Sequence, residues 1–198
     1  TMASNTNVMN NLVVDSQNSI WAGTTGNGLA LYNEISNNFV TVKSNGPVDN
    51  KFNALTFDLD GNLWVASFNG LALFDGNQWD TFDKDFGLQT VSGYRDIEID
   101  SENRLWAANW GSGISVLEKI GDQWNLSKVD HNDDRLAGIS SDADYVVTTG
   151  LEKDAAGNMW ILNYLARTNK PVAVVDPLDN WQYFSTLEGI NSTEVISL

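Results

Sequence analysis

One phrase is written four times along this chain and constrains its fold more than any other feature. It reads Asp15-Ser-Gln-Asn-Ser-Ile-Trp21, Asp58-Leu-Asp-Gly-Asn-Leu-Trp64, Asp100-Ser-Glu-Asn-Arg-Leu-Trp106 and Asp154-Ala-Ala-Gly-Asn-Met-Trp160. The shared pattern is an aspartate, Gly or Asn three residues on, an aliphatic residue and then tryptophan. The steps between aspartates are 43, 42 and 54 residues. Self-similarity at such a period marks an array of equal structural units.

Each copy reads as four short antiparallel strands. Before the aspartate, Leu12/Val14, Leu55/Phe57 and Ile97/Ile99 alternate at period two and predict an inner strand with these pairs on one face. Asn18, Gly61, Asn103 and Gly157 are residue types that accept positive φ, so a tight hairpin is expected there. The aspartate carboxylate is expected to accept hydrogen bonds from the backbone N–H groups of that turn. A second strand carries the tryptophan. A third follows as Leu29–Tyr32, Leu71–Phe74, Ile114–Leu117 and Val172–Val175, and a fourth opens on Phe39, Trp79, Trp124 or Trp181.

Four-stranded units at this spacing are the blades of an all-β β-propeller. The expected blades span residues 11–48, 52–92, 94–130 and 148–187 of a single domain over 1–198, and residues 194–198 read as the first strand of a further blade. The array is therefore expected to be a partial arc of a larger six- to eight-bladed propeller, with open edges that favour self-association. A four-bladed ring closed by its last strand is the alternative.

The phrases Gly61-Asn62-Leu63-Trp64-Val65-Ala66 and Asn69-Gly70-Leu71-Ala72-Leu73-Phe74-Asp75 resemble the two-component-regulator propeller repeat of Bacteroidota-type periplasmic sensors. The fourth blade, through Asn158–Asn163, Pro171–Pro177 and Asn180–Phe184, is also similar to the propeller of type IX secretion. The resemblance implies an extracytoplasmic module, in the periplasm or at the cell surface. Asn in place of Gly at positions 18 and 103, and insertions in the third and fourth copies, depart from that repeat.

Composition narrows the chemistry. The net charge is −15, from 26 acidic and 11 basic side chains, which disfavours nucleic acid and anionic membranes as partners. No apolar run has the length of a membrane span, and the opening residues carry no signal peptide pattern. There is no cysteine and one histidine, His131, which excludes disulfides, thiolate metal sites and multi-histidine metal sites.

Function is sought in the loops that exceed the repeat, from about Asp130 to Val147 and from Asn163 to Lys170. Phe68, Tyr94, Trp110, Tyr164, Arg167 and Lys170 fall on one expected face and are the candidates for binding a glycan or a protein. Asp130, Asn132 and Asp134 imitate the opening of a calcium loop, but Arg135 stands where that loop needs glycine, so calcium is a weak possibility and no other cofactor is expected. The repeated residues Asp15, Trp21, Asp58, Trp64, Asp100, Trp106, Asp154 and Trp160 are read as structural, because one active site has no use for four equivalent acids. The leading expectation is a non-enzymatic sensor module that recognises a ligand or partner. The alternatives are an assembly component of an envelope secretion machinery and a propeller enzyme of lyase or glycosidase type. Streptogramin lyases share the Gly-Asn-Leu-Trp phrase, but a single loop histidine supports their metal-assisted chemistry poorly.

Overall fold

The computed structural model describes residues 9–14, 18–24, 29–42, 46–49, 51–89, 92–190 and 192–195. Asp15 lies outside them, as do residues 196–198, and the side chain of Trp21 is not described. Two compact units divide the chain, Thr1–Gly46 and Pro47–Leu198.

The first unit is one antiparallel meander, β1 (Met9–Val14), β2 (Ile20–Thr24), β3 (Leu29–Asn33) and β4 (Asn38–Val42), paired in chain order. The second holds three more. Blade two is β5 (Phe52–Phe57), β6 (Leu63–Ser67), β7 (Leu71–Phe74) and β8 (Trp79–Phe82). Blade three is β9 (Tyr94–Ile99), β10 (Leu105–Gly111), β11 (Gly113–Ile120) and β12 (Gln123–Val129). Blade four is β13 (Val146–Lys153), β14 (Met159–Tyr164), β15 (Val172–Val175) and β16 (Trp181–Phe184). Among the described residues there is no α-helix, and none is long and apolar enough to cross a membrane.

The hairpin after each inner strand forms as the residue types require. Asn18, Gly61, Asn103 and Gly157 take φ values of 63°, 84°, 63° and 87°. The aspartate does more than bind the turn backbone. Asp100 Oδ1 accepts the N–H groups of Glu102 and Arg104, while Oδ2 accepts Arg104 Nε at 2.6 Å and the Trp106 indole N–H at 2.9 Å. In blade four Asp154 accepts from Ala156 and Asn158 N–H, from the Asn158 amide, and from the Trp160 indole at 3.0 Å. In blades three and four the acid thus orients the tryptophan, whereas in blade two Asp58 binds only the turn, through the Asp60 and Asn62 N–H groups and the Asn62 amide.

The tryptophan packs in the space between blades. Trp64 packs with Leu73 and Phe82 of blade two against Ile97, Ile99, Leu105 and Leu117 of blade three. Trp106, Ile114, Val116 and Val129 of blade three meet Leu151, Met159, Ile161 and Val175 of blade four. Leu55 and Phe57 hold the register positions of Ile97 and Ile99 but are 59% and 66% exposed, as are Leu12 and Val14 at 60% and 58%. Alternation therefore sets which face a side chain takes, not whether that face is buried.

Every inner strand carries one extra residue at the same place. Pairing shifts between Met9 and Asn11, between Phe52 and Ala54, opposite Ala108/Asn109, and between Thr148 and Gly150. The unpaired residues are Asn10, Asn53, Arg95 and Thr149, each five before the repeat aspartate. These are β-bulges, which re-aim a side chain and bend the strand. The Asn53 amide donates to the Tyr94 carbonyl at 2.7 Å, and the Thr149 hydroxyl donates to the Val195 carbonyl at 2.8 Å. The bulge residue thereby ties its inner strand to the chain alongside.

Truncating Trp64 to alanine is expected to lower unfolding free energy by about 3–5 kcal/mol, measured by denaturant titration, because a 2%-exposed indole leaves a cavity between blades. A second outcome concerns acid. The Trp160 indole, then the Asn158 amide and the turn N–H groups, hold the Asp154 carboxyl down at about 2. A folded-state value below the ordinary 3.8 contributes stability that is complete above that value and is lost as pH falls toward about 2. Asp154→Asn should therefore flatten the loss of thermal stability over that acid range, read by melting curves at stepped pH.

Candidate functional site

Phe68, Trp110 and Tyr164 each stand four residues beyond the repeat tryptophan, at or just past the end of the second strand. Two of them meet. Val147 of β13 pairs with Trp110 on one side and Tyr164 on the other, so both rings share its face. Their centroids are 5.4 Å apart with planes tilted by 35°. The Arg95 guanidinium lies over Trp110, 5.1 Å from the ring centroid. Phe68, 45% exposed, holds the equivalent place in blade two and packs against Gly93, where a Cβ would approach its ring to 2.8 Å.

The Trp110 backbone is braced from below. The Tyr145 hydroxyl donates to the Trp110 carbonyl at 3.3 Å and is hydrogen-bonded to the Ser92 hydroxyl at 3.2 Å. Gly111, at φ 125°, has no room for a side chain, because a Cβ would come within 2.6 Å of the Tyr145 ring. The aromatic pair is therefore mounted on a fixed backbone.

Arg95 is absent from the ion pairs formed among the described residues. It is also the one described bulge residue of the second unit whose side chain does not hydrogen-bond the chain alongside; the link at this level is made by Asp96, whose Oδ2 accepts the Leu151 N–H at 2.9 Å. Burial pushes the Asp96 carboxyl up, as it does the half-buried Glu98 beside it. Arg95 escapes sequence reading because a bulge is a property of pairing, and alternation along β9 gives no sign of it.

The remaining candidates are dispersed or differently employed. Tyr94 is a correction: it is fully buried in the core between blades two and three, its hydroxyl bonded to Ser115 at 2.9 Å. The bulge at Arg95 adds a residue to the strand and turns Tyr94 onto the face of Ile97 and Ile99, where burial lifts its phenol to about 12. Arg167 is exposed, and its N–H donates to the Gly138 carbonyl. Lys170 lies 5.1 Å from the Tyr183 ring centroid, with a different aromatic from those expected. The two long loops brace one another: Ile139 bridges to Ala166, and the buried Asn163 amide donates to the Ala137 carbonyl while its oxygen accepts the Ala137 N–H.

The calcium-like segment forms a capped turn. Asp130 caps a 3₁₀ turn at His131–Asp133, accepting the Asn132 N–H at 2.8 Å, and Asp134 closes it at φ 60°. The same turn follows the fourth strand in blade two, capped by Asp83 and closed by Gly87, and in blade four, capped by Ser185 and closed by Gly189. The alternating acids are a turn signature, and among the described residues no group of three or more His, Asp or Glu side chains is placed to hold a metal. His131 Nε2 lies 3.3 Å from Asp144 Oδ1, and its Nδ1 is buried without a partner.

With sheet and site described, the fold is that of a β-propeller, and comparison with solved structures agrees. PorZ, a surface component of the type IX secretion system of Porphyromonas gingivalis, superposes with a TM-score of 0.63 at 21% identity, over 87% of this chain and 25% of that one. The extracellular domain assigned to a hybrid two-component system of B. thetaiotaomicron, BT3049, gives 0.54 at 13% over 94% of this chain and 30% of that one. That assigned to the one-component system BT4673 of the same organism gives 0.54 at 17%, over 89% and 24%. The chain thus spans less than a third of each of these proteins. No family model matches the sequence, and no curated protein does.

The two tyrosines test the assignment of roles. Tyr94→Phe should cost about 1–2 kcal/mol by leaving the buried Ser115 hydroxyl without its partner. Tyr164→Phe should stay within about 0.5 kcal/mol, both read from denaturant unfolding.

Proposed function

We propose that this chain is a non-enzymatic, extracytoplasmic recognition module whose ligand seats on Trp110 and Tyr164 beneath the Arg95 guanidinium. The observation that carries the reading is the employment of the bulge residue. Asn53 and Thr149 use their side chains to hydrogen-bond the chain alongside, whereas Arg95, in no ion pair among the described residues, places a cation at the rim of an aromatic pair. In a protein of net charge −15, such a cation is a local point of attraction for an anionic group on the ligand. The two rings supply apolar faces on which a sugar ring or planar side chain stacks. The fitting ligand is therefore a glycan or protein segment carrying a carboxylate or sulfate next to a ring.

Two kinds of neighbour in fold support an envelope setting: extracellular sensor domains and a type IX secretion component. The sensor reading is favoured by the small, pre-mounted aromatic site. The assembly reading is favoured by the higher structural similarity to PorZ. The enzyme reading has little to draw on, since His131 pairs with Asp144 on a turn and Asp96 is tied to backbone N–H groups.

Screening neutral and uronate-containing oligosaccharides together with acidic peptides, by calorimetry, tests the proposal. Trp110→Ala should abolish binding of any hit, and Arg95→Ala should weaken anionic hits by about tenfold while sparing neutral ones. Undiminished binding to both variants would place the ligand elsewhere.

A further inference from the structure

A cleft of about 390 Å³ opens between blades three and four, at the end of the blades that carries the aspartate turns. Its floor is Trp106, Val116, Val129, Met159 and Val175. The corresponding space between blades two and three is filled. There Phe82 stacks on Trp64 at 5.4 Å, and Phe86 meets Phe82 edge-on at 5.0 Å. In blade four Phe184 likewise stacks on Trp160, at 5.6 Å and 15°. Phe82, Val129 and Phe184 are one position of the repeat, the residue preceding the cap of the 3₁₀ turn. Phe86 corresponds to Asp133. Blade three therefore lacks the phenyl ring that stacks on the repeat tryptophan in blades two and four; Trp106, 6% exposed, keeps Trp181 at 6.5 Å on one side, as Trp64 keeps Trp124, and lines the resulting space with Val129.

The rim is acidic. Arg104 pairs with Asp100 and Glu102, and Arg135 with Asp133 and, at 4.0 Å, Asp179, so two guanidinium groups are shared among four carboxylates and the rim keeps a negative excess. Asp176 and Asp179 also border the cleft. The Asn180 amide and N–H hold the Asp176 carboxyl below its usual range, so it stays ionised.

We infer that this cleft is a docking site for a protein segment that inserts an aromatic side chain against Trp106, with a basic residue beside it facing Asp176, Asp179 and Glu102. The repeat itself shows what fits: a phenyl ring occupies the equivalent position in two other blades. Such a ring on an indole contributes about 0.5–1.5 kcal/mol beyond its area burial. The charge of the rim, within a strongly acidic protein, sets the sign of the flanking residue. The site is separate from the Arg95 platform, so the two bind independently.

The test uses N-acetyl-Phe-Arg-amide, with N-acetyl-Ala-Arg-amide and N-acetyl-Phe-Glu-amide as comparators, titrated into the whole chain while the Trp106 indole N–H resonance is followed. The Phe-Arg peptide should saturate the shift by about 10 mM, and each comparator should bind about tenfold more weakly. Val129→Phe should fold, since phenylalanine already stands at 82 and 184, and should abolish the shift by filling the cleft. Glu102→Arg, at an exposed rim position, should reverse the preference between the Phe-Arg and Phe-Glu peptides. No saturable shift, or equal binding by Val129→Phe, would overturn the inference; indifference to Glu102→Arg would overturn its charge component.

Discussion

In blades three and four the bond from the repeat aspartate to the indole six residues later couples the hairpin turn to the packing of the tryptophan. A single carboxylate closes the hairpin turn with one oxygen and aims the tryptophan with the other, as Asp100 and Asp154 do. Local turn geometry and the packing between blades are thereby set by one side chain. The turns also interlock. Asn103 accepts the Leu59 N–H and donates to Asp60 of the preceding blade. At Gly157 the next turn approaches so closely that a Cβ would sit 2.7 Å from the Ser101 hydroxyl. Asn at one turn and Gly at the next satisfy the same positive φ, and the neighbouring turn decides between them.

The bulge does for the inner strands what the aspartate does for the hairpins. It inserts a residue whose side chain points out of the ladder, and in blades two and four that side chain closes the gap to the chain alongside. Its second effect is to reset the alternation, so that Tyr94 joins Ile97 and Ile99 in one core. Core and rim are consequences of the same insertion.

This explains what was legible in the sequence. The positive-φ residues, the structural aspartates and the strand order follow from local chemistry, so Asn18, Gly61, Asn103 and Gly157 could be placed from residue type alone. Pairing register is not local. Tyr94 was therefore expected on a binding face, and Arg95 went unnoticed beside it. The 130–134 segment reads two ways for a different reason: a capped 3₁₀ turn and a calcium loop both place acids and amides at alternate positions, and only the matching turns after Asp83 and Ser185 separate the two. Trp110 and Tyr164 were legible because recurrence four residues after the tryptophan puts them on one face; their contact depends on Val147 lying between their strands.

A repeat carries its own controls, because each blade shows what a position does when shape is the only demand. Departures from it then divide by whether the structure compensates them. Asn103 replaces glycine and acquires two bonds to the preceding turn, so it needs no explanation beyond the fold. Arg95 gives up a strand link, and Val129 gives up a ring on its tryptophan, with an open cleft left in that ring's place. The exchange at Val129 forgoes stabilisation on the order of 1 kcal/mol that the neighbouring blades retain, whereas Asp96 takes over the strand link that Arg95 gives up. Both leave a group, a guanidinium in one case and an indole in the other, whose missing partner has a definite charge or shape. Departures that leave a group open toward solvent in this way are where a scaffold made of equal units acquires individual contacts, and in this chain both fall in blade three.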